Sequence, residues 1–181
     1  MGSIRRRGDK VVVRLDAAER SVLASLLGAV RALLRAEEDD DAAADPLEAF
    51  VGMSGAPVET PEDPILRRLL PDAYADDEQS AEFRRLTDAD LRARKTEAID
   101  RVLDDVATSD RVDLDLEEGV GMWLQALNDV RLVLGTRLDI TEDWPDDRDD
   151  LPDDDPRAAL YDFYNWLTML QERLVLTAME E

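Results

Sequence analysis

The sequence predicts a mainly α-helical protein, a bundle of about three long and two short helices with a small two-stranded β element. Apolar residues recur at helical spacing through most of the 181 residues, whereas strand-like patterns cover only residues 11–15 and 112–116. Acidic or hydroxyl residues stand where most of the predicted helices would begin and can cap their free amide groups. We expect residues 1–181 to form a single helical domain with acidic loops near 37–45 and 141–155.

The N-terminal part of the chain predicts a strand followed by a helix. Residues 11–15 (VVVRL) form a short segment rich in β-branched valine, which is typical of a strand. Asp16 and Glu19 have the spacing of a capping box that opens a helix. Its apolar face is formed by Leu23, Leu26, Leu27, Val30, Leu33 and Leu34. The helix is predicted to fade in the acidic run at 37–41, where like charges repel each other.

Three Asp-Pro pairs predict further helix starts, at residues 45–46, 63–64 and 155–156. In each pair the carboxylate can cap the helix, and proline suits the first helical position. The first two pairs predict short helices at about 46–52 and 64–70.

Longer helices are predicted in the rest of the chain. Residues 75–81 are polar and predict a loop, after which Thr87 is expected to cap a helix over 87–107. The alternating residues 112–116 (VDLDL) predict a half-buried strand. Helices at about 117–136 and 156–178 follow from their apolar spacing.

The strand–helix unit that begins at residue 11 resembles the unit that begins at residue 112. Val11, Val13 and Leu15 match Val112, Leu114 and Leu116 in order. We predict that the two strands pair in a two-stranded sheet, although two short amphipathic units can also resemble each other by chance.

Composition excludes several classes of function. The net charge is −22, with 44 acidic and 22 basic residues, and such a field repels nucleic acids and anionic membranes. The chain has no Cys and no His, so thiol chemistry, a His-based triad and the commonest metal ligand are excluded. No glycine-rich phosphate loop is present. We therefore predict a protein that is not an enzyme, with no cofactor and no metal.

Transport signals are not expected either. No apolar run approaches the roughly 20 residues of a membrane span, and no apolar segment follows the basic residues Arg5, Arg6 and Arg7. We expect a cytoplasmic protein.

Two predicted helices carry a polar residue inside an apolar stripe: Arg131 in one and Gln171 in the other. Buried polar groups need partners. One interpretation is a buried helix–helix network in which Arg131, Gln171 and nearby Asn128 or Asp162 satisfy one another. The other is a polar-lined pocket or a contact with a partner.

Aromatic and basic residues add candidates for a contact with a partner. Phe163 and Tyr164 follow the apolar stripe of the last helix, whereas Tyr161 and Trp166 flank it and are expected to be the most accessible. Basic residues are concentrated at 67–95: Arg67, Arg68, Arg84, Arg85, Arg92, Arg94 and Lys95. They would either bind an acidic partner or pair with nearby carboxylates.

Three segments resemble an actinobacterial family with a domain of unknown function: residues 64–74 (PILRRLLPDAY), 122–135 (MWLQALNDVRLVLG) and 161–176 (YDFYNWLTMLQERLVL). Members are typically encoded beside the ClpS adaptor gene, and one branch is described as the actinomycete oxidative-stress regulator AosR. The resemblance implies a helical regulator that acts through a protein partner, in that branch an alternative sigma factor. That branch senses oxidants through a cysteine pair, which this sequence lacks.

We expect, first, a non-enzymatic regulatory protein that binds another protein, with a sigma factor or RNA polymerase as the expected partner. Direct DNA binding is an alternative in which Arg67, Arg68, Arg84 and Arg85 would contact phosphates, and the negative charge argues against it. A Clp-linked adaptor is another alternative, implied only by the resemblance. Arg131 could also grip a small carboxylate, and a homodimer is possible.

Overall fold

The computed structural model describes residues 2–41, 63–74, 76–140, 152 and 155–180. The short helix predicted at 46–52 lies outside these residues, as does most of the acidic loop predicted at 141–155.

Eight elements follow one another in the described residues. The strands are β1 (Ser3–Arg7), β2 (Lys10–Arg14) and β3 (Arg111–Asp115), and the helices are α1 (Ala17–Asp41), α2 (Pro64–Leu69), α3 (Asp77–Thr108), α4 (Gly119–Arg137) and α5 (Pro156–Met179). The mainly helical fold is confirmed, with four long helices and one short helix in the described part of the chain. None of these helices is long and apolar enough to cross a membrane.

The sheet is antiparallel and has the order β1-β2-β3. The predicted pairing of the strands near residues 11 and 112 is confirmed, with Val11 opposite Leu114. The sheet also contains a third strand, β1, in addition to the two that the sequence predicts. β1 has the sequence SIRRR, whose charged residues lack an apolar alternation and suit an edge strand. Gly8, with a φ of 64°, makes the tight turn to β2, because glycine tolerates this backbone conformation.

The start of α1 follows the sequence closely. The backbone N–H of Glu19 donates to the Asp16 carboxylate, and the backbone N–H of Asp16 donates to the Glu19 carboxylate, each at 2.9 Å. The predicted capping box is therefore present. α1 continues to Asp41 rather than fading at 37–41, since each further residue adds a backbone hydrogen bond to an existing helix.

The start of α3 differs from the prediction. The helix begins at Asp77, and the Asp76 side chain caps it by accepting from the backbone N–H of Gln79. Thr87 is not a cap; its hydroxyl lies inside the helix and donates to the Phe83 carbonyl at 2.9 Å. The loop predicted over 75–81 is thus helical from Asp77 onward.

The core lies where α1, α3, α4 and the inner face of the sheet meet, and α5 covers α4. Trp123 on α4 is completely buried there, and its indole N–H donates to the Asp105 carboxylate at 2.9 Å. The short helix α2 packs on α4 through buried leucines. This arrangement places one face of α4 between α2 and α5.

Candidate binding groove

A groove of about 660 Å³ lies between α2, α4 and α5. Its volume is within the range of clefts that bind ligands or peptide side chains. Its walls combine arginine and asparagine with apolar groups, namely Arg67, Arg68, Asn128, Arg131, Leu132 and Tyr164. We call this feature the arginine groove.

α2 supplies two of the arginines because of how it is anchored. The Asp63 side chain accepts from the backbone N–H of Ile65 and starts the helix. Leu66 and Leu69 are buried, which directs the intervening Arg67 and Arg68 outward, where both are exposed. Both arginines lie in the last turn of α2, where positive charge is favourable to the helix dipole.

Arg131 forms the opposite wall and is held by α5. Its Nη1 donates to Gln171 Oε1 at 2.8 Å, and its Nη2 donates to the Tyr164 hydroxyl at 3.4 Å. The guanidinium carbon also lies 5.3 Å from the centre of the Tyr164 ring, within cation–π range. Its Nε is buried and has no hydrogen-bond partner within the described residues.

The groove arginines form no ion pair with an acidic residue that the structure describes. Within the part of the chain that the structure describes, Arg67, Arg68 and Arg131 form no salt bridge. Asp139 also lines the groove. Because the lining contains three arginines against this one carboxylate, its net charge is still positive. The groove can therefore accept a carboxylate or another anion through charge-assisted hydrogen bonds.

The remaining predicted residues fall in different places. Asn128 is exposed at the groove, but Arg131 uses Gln171 and Tyr164 as acceptors, not Asn128 or Asp162. The expectation of an accessible Tyr161 is wrong, because its side chain is only 4% exposed. Trp166 is half-buried and packs against the core.

Several basic residues at 67–95 are buried, which the sequence analysis missed. Arg84 pairs with Asp72 and also donates to the Leu70 carbonyl, and the Arg92 Nε donates to Asp88 at 2.5 Å. The arginines thus form internal ion pairs with carboxylates of α3 and of the turn before it. The Leu34 carbonyl accepts from Arg92 as well, at 3.0 Å, which ties α3 to α1. Arg84 is consequently inaccessible to DNA.

A second buried ion pair joins α3 to α4. Lys95 Nζ donates to Asp129 Oδ1 at 2.5 Å, and the side chains are 11% and 1% exposed. Burial raises the pKa of the Asp129 carboxyl above its ordinary value, although the hydrogen bond and the charge of Lys95 act in the opposite direction. The sequence carried a signal for this pair: Lys95 and Asp129 have opposite charges, and each lies inside the apolar stripe of a predicted helix.

A larger depression of about 920 Å³ lies elsewhere, on the side of α3 that faces α1 and the start of α4. Its cations are already paired: Arg35 contacts Asp100 at 3.3 Å, and Arg101 contacts Asp105 at 3.3 Å. The arginine groove is therefore the stronger candidate for a binding site.

Comparison with known proteins gives a consistent family. The family described as "Domain of unknown function (DUF2017)" matches residues 1–178. Proteins named "Oxidative stress regulator AosR" in Mycobacterium bovis and Mycobacterium tuberculosis are each 35% identical over 201 residues, covering 98% of this chain and 90% of theirs. A Mycobacterium leprae relative is 35% identical over 176 residues, covering 89% of this chain and 79% of its own. No solved structure matches the chain significantly.

Proposed function

Since the chain belongs to the DUF2017 family and its mycobacterial relatives are named oxidative stress regulators, we propose that it is a non-enzymatic regulatory protein that acts by binding another protein. We take the partner to be a sigma factor or another component of RNA polymerase, as the family resemblance implies, and the location to be the cytoplasm. The arginine groove is the proposed docking site.

The observation that supports this proposal most directly is the set of three groove arginines that form no salt bridge with any described residue. An unpaired guanidinium beside an apolar wall suits a protein segment in which an Asp or Glu accompanies an apolar side chain. Arg131 is oriented in advance by Gln171 and Tyr164, which lowers the ordering cost of binding. Arg67 and Arg68 are exposed, so they can close onto the partner afterwards.

The mode of regulation differs from a disulfide switch. The chain contains no cysteine, so it cannot form an internal disulfide. We propose that any response to oxidants reaches this protein through its partner. Such a response requires only that oxidation changes the exposed acidic segment through which the partner binds.

The test is affinity capture from an actinobacterial lysate with the tagged protein, followed by quantitative mass spectrometry. The charge-reversed variant Arg67→Glu/Arg68→Glu should lose the captured transcription component at least about tenfold relative to wild type. The matched control Arg85→Glu/Arg94→Glu makes the same change in charge on α3, away from the groove, and should retain it. Equal capture by the groove variant and the wild type would contradict the proposal.

A steric variant separates groove binding from a general charge effect. A Cβ placed on Gly135 would lie 3.6 Å from the Tyr164 ring, an ordinary contact distance. We expect Gly135→Leu to fold and to block the groove without any change in charge. Capture should fall in this variant as it does in the arginine variant.

Direct DNA binding, the alternative, predicts a different result. A mobility-shift titration at low salt should show no shift at micromolar protein, because the net charge of −22 repels the duplex. A shift that disappears in Arg67→Glu/Arg68→Glu would favour the DNA-binding alternative instead. Co-purification of ClpS or a Clp ATPase alone would favour the adaptor alternative.

A further inference from the structure

The outer face of the sheet carries a second cluster of cations. In the register of the three strands, Ser3, Arg14 and Arg111 form one cross-strand row. Arg5, Val12 and Asp113 form the middle row, and the last row is Arg7, Lys10 and Asp115. All nine residues share this face because side chains alternate along a strand. We call Arg5, Arg7, Lys10 and Arg14 the basic sheet face.

Two cross-strand pairs on this face bring like charges together. Arg7 is directly opposite Lys10, and Arg14 is directly opposite Arg111. Like charges in this position destabilise a sheet. Two carboxylates offset part of this repulsion: Asp115 lies opposite Lys10, and Asp113 pairs with Arg111. The three arginines of β1 and β2 on this face have no carboxylate directly opposite them, which leaves them available for an external anion.

The cations of the basic sheet face make no close ion pair with a described carboxylate. Among the described residues, none of its four cations forms a salt bridge, and all four are exposed. Arg111, by contrast, binds Asp113 through two hydrogen bonds of 2.8 Å. The pKa of Asp113 lies below its ordinary value, chiefly because of this hydrogen bond and to a smaller extent because of Lys10 and Arg7. The free cations thus lie on β1 and β2, beside an acidic border on β3.

This face is separate from the arginine groove. Arg6 in β1 donates to the Ala178 carbonyl near the end of α5, at 2.9 Å, whereas Tyr164 at the groove lies near the beginning of that helix. Fourteen residues of helix between Ala178 and Tyr164 correspond to about 21 Å. A ligand on the basic sheet face therefore makes contacts that the groove does not provide.

We propose that the basic sheet face docks an extended acidic segment of a partner protein. Arg5 and Arg7 lie two residues apart in β1, or about 6.7 Å. An extended segment with Asp or Glu at alternate positions repeats its carboxylates at the same interval. Each carboxylate can meet an arginine of β1, while Lys10 and Arg14 of β2 flank the segment.

A protein segment suits this face better than a nucleic acid does. Asp113 and Asp115 border the cations on the third strand and would repel the closely spaced phosphates of a duplex, which carries about one charge per 1.7 Å. The overall charge of −22 also opposes a dense polyanion more strongly than a peptide with a few carboxylates.

The test is a fluorescence anisotropy titration with a fluorescein-labelled peptide of alternating Glu and Thr, at low ionic strength. Wild type should bind it, and Arg5→Gln/Arg7→Gln should bind it roughly tenfold more weakly. The control Arg85→Gln/Arg94→Gln removes the same charge from α3 and should bind like wild type. Thermal melts of each variant confirm folding, since all four positions are at least partly exposed.

Five results would overturn the proposal. The first is equal binding by wild type and Arg5→Gln/Arg7→Gln, and the second is equal binding of a peptide with Gln in place of Glu. Weaker binding by the groove variant Arg67→Gln/Arg68→Gln alone would assign the peptide to the groove. Tighter binding of duplex DNA of similar charge would replace the protein partner with nucleic acid. Sedimentation of the wild type and of Arg5→Gln/Arg7→Gln tests whether a second copy of this chain occupies the face. A dimer that forms in the wild type and is lost in the variant would identify this chain itself as the occupant.

Discussion

Replacing Asp88 by Ala is expected to destabilise the protein by about 3 kcal/mol, because it removes the carboxylate that lies between two buried arginines. The Arg84 and Arg92 side chains are only 6% and 7% exposed. A buried arginine keeps its positive charge, because the guanidinium is not deprotonated in proteins. The substitution removes the 2.5 Å contact between Arg92 Nε and Asp88 Oδ2. It also removes the longer contact of 3.7 Å between Arg84 Nη1 and Asp88 Oδ1.

The magnitude follows from what remains after the substitution. Breaking a buried ion pair on one side costs about 3–5 kcal/mol. Arg84 keeps Asp72 and the Leu70 carbonyl, and Arg92 keeps the Leu34 carbonyl, which places the cost at the lower end of that range. For a chain of this size, about 3 kcal/mol lowers the melting temperature by roughly 6–12 °C.

The assay is urea denaturation and thermal melting followed by circular dichroism, with Asp90→Ala as the matched control. Asp90 lies two residues further along α3 and is exposed, so its replacement should change the free energy of unfolding by less than about 0.5 kcal/mol. A cost for Asp88→Ala that is as small as the control would refute the reasoning that these arginines depend on internal carboxylates.

Three further predictions concern the groove, a helix cap and pH. Gln171→Leu removes the acceptor of Arg131 Nη1 and should cost about 1 kcal/mol of unfolding free energy, whereas no change in a denaturation series would show that the bond contributes nothing. Asp76→Ala removes the cap of α3 and should cost about 1 kcal/mol, with faster amide exchange in the first turn; unchanged exchange there would contradict this role. The Asp129 pKa is raised above its ordinary value of 3.8, so the folded state binds this proton more tightly than the unfolded state does. Wild type should therefore gain stability relative to Asp129→Asn as the pH falls through the raised pKa towards 3.8, and the opposite slope in pH-dependent denaturation would contradict burial as the main cause.

Local sequence patterns were sufficient for much of the fold. The capping box at Asp16 and the Asp-Pro starts of α2 and α5 involve neighbours in the chain, so their effect is visible without tertiary structure. The pairing of β2 with β3 also followed from two similar apolar patterns.

Where the prediction was wrong, polar residues occupy positions that face the interior. Ser80 and Arg84 are buried near the beginning of α3, while Phe83 and Leu86 are exposed there. The apolar periodicity that indicates a helix is therefore absent from this segment, and the sequence predicts the start of α3 only at Thr87. The charged residues of β1 lack the apolar pattern of a strand. The strand is stabilised instead by its turn and by its pairing with β2.

The candidate site was predictable only in part. Arg131 and Gln171 were predictable because each interrupts an apolar stripe. In the structure Arg131 Nη1 lies 2.8 Å from Gln171 Oε1. Their association with Arg67 and Arg68 could not be read from spacing, because it depends on how α2 packs against α4, about sixty residues further along the chain.

Hydrogen–deuterium exchange of the protein with and without its captured transcription partner tests directly whether the arginine groove is the docking site. We expect added protection in α2 and in residues 128–140, several of which line the groove, and we expect Gly135→Leu to abolish this protection. Protection that leaves both segments unchanged while the partner is bound would contradict the groove as the docking site.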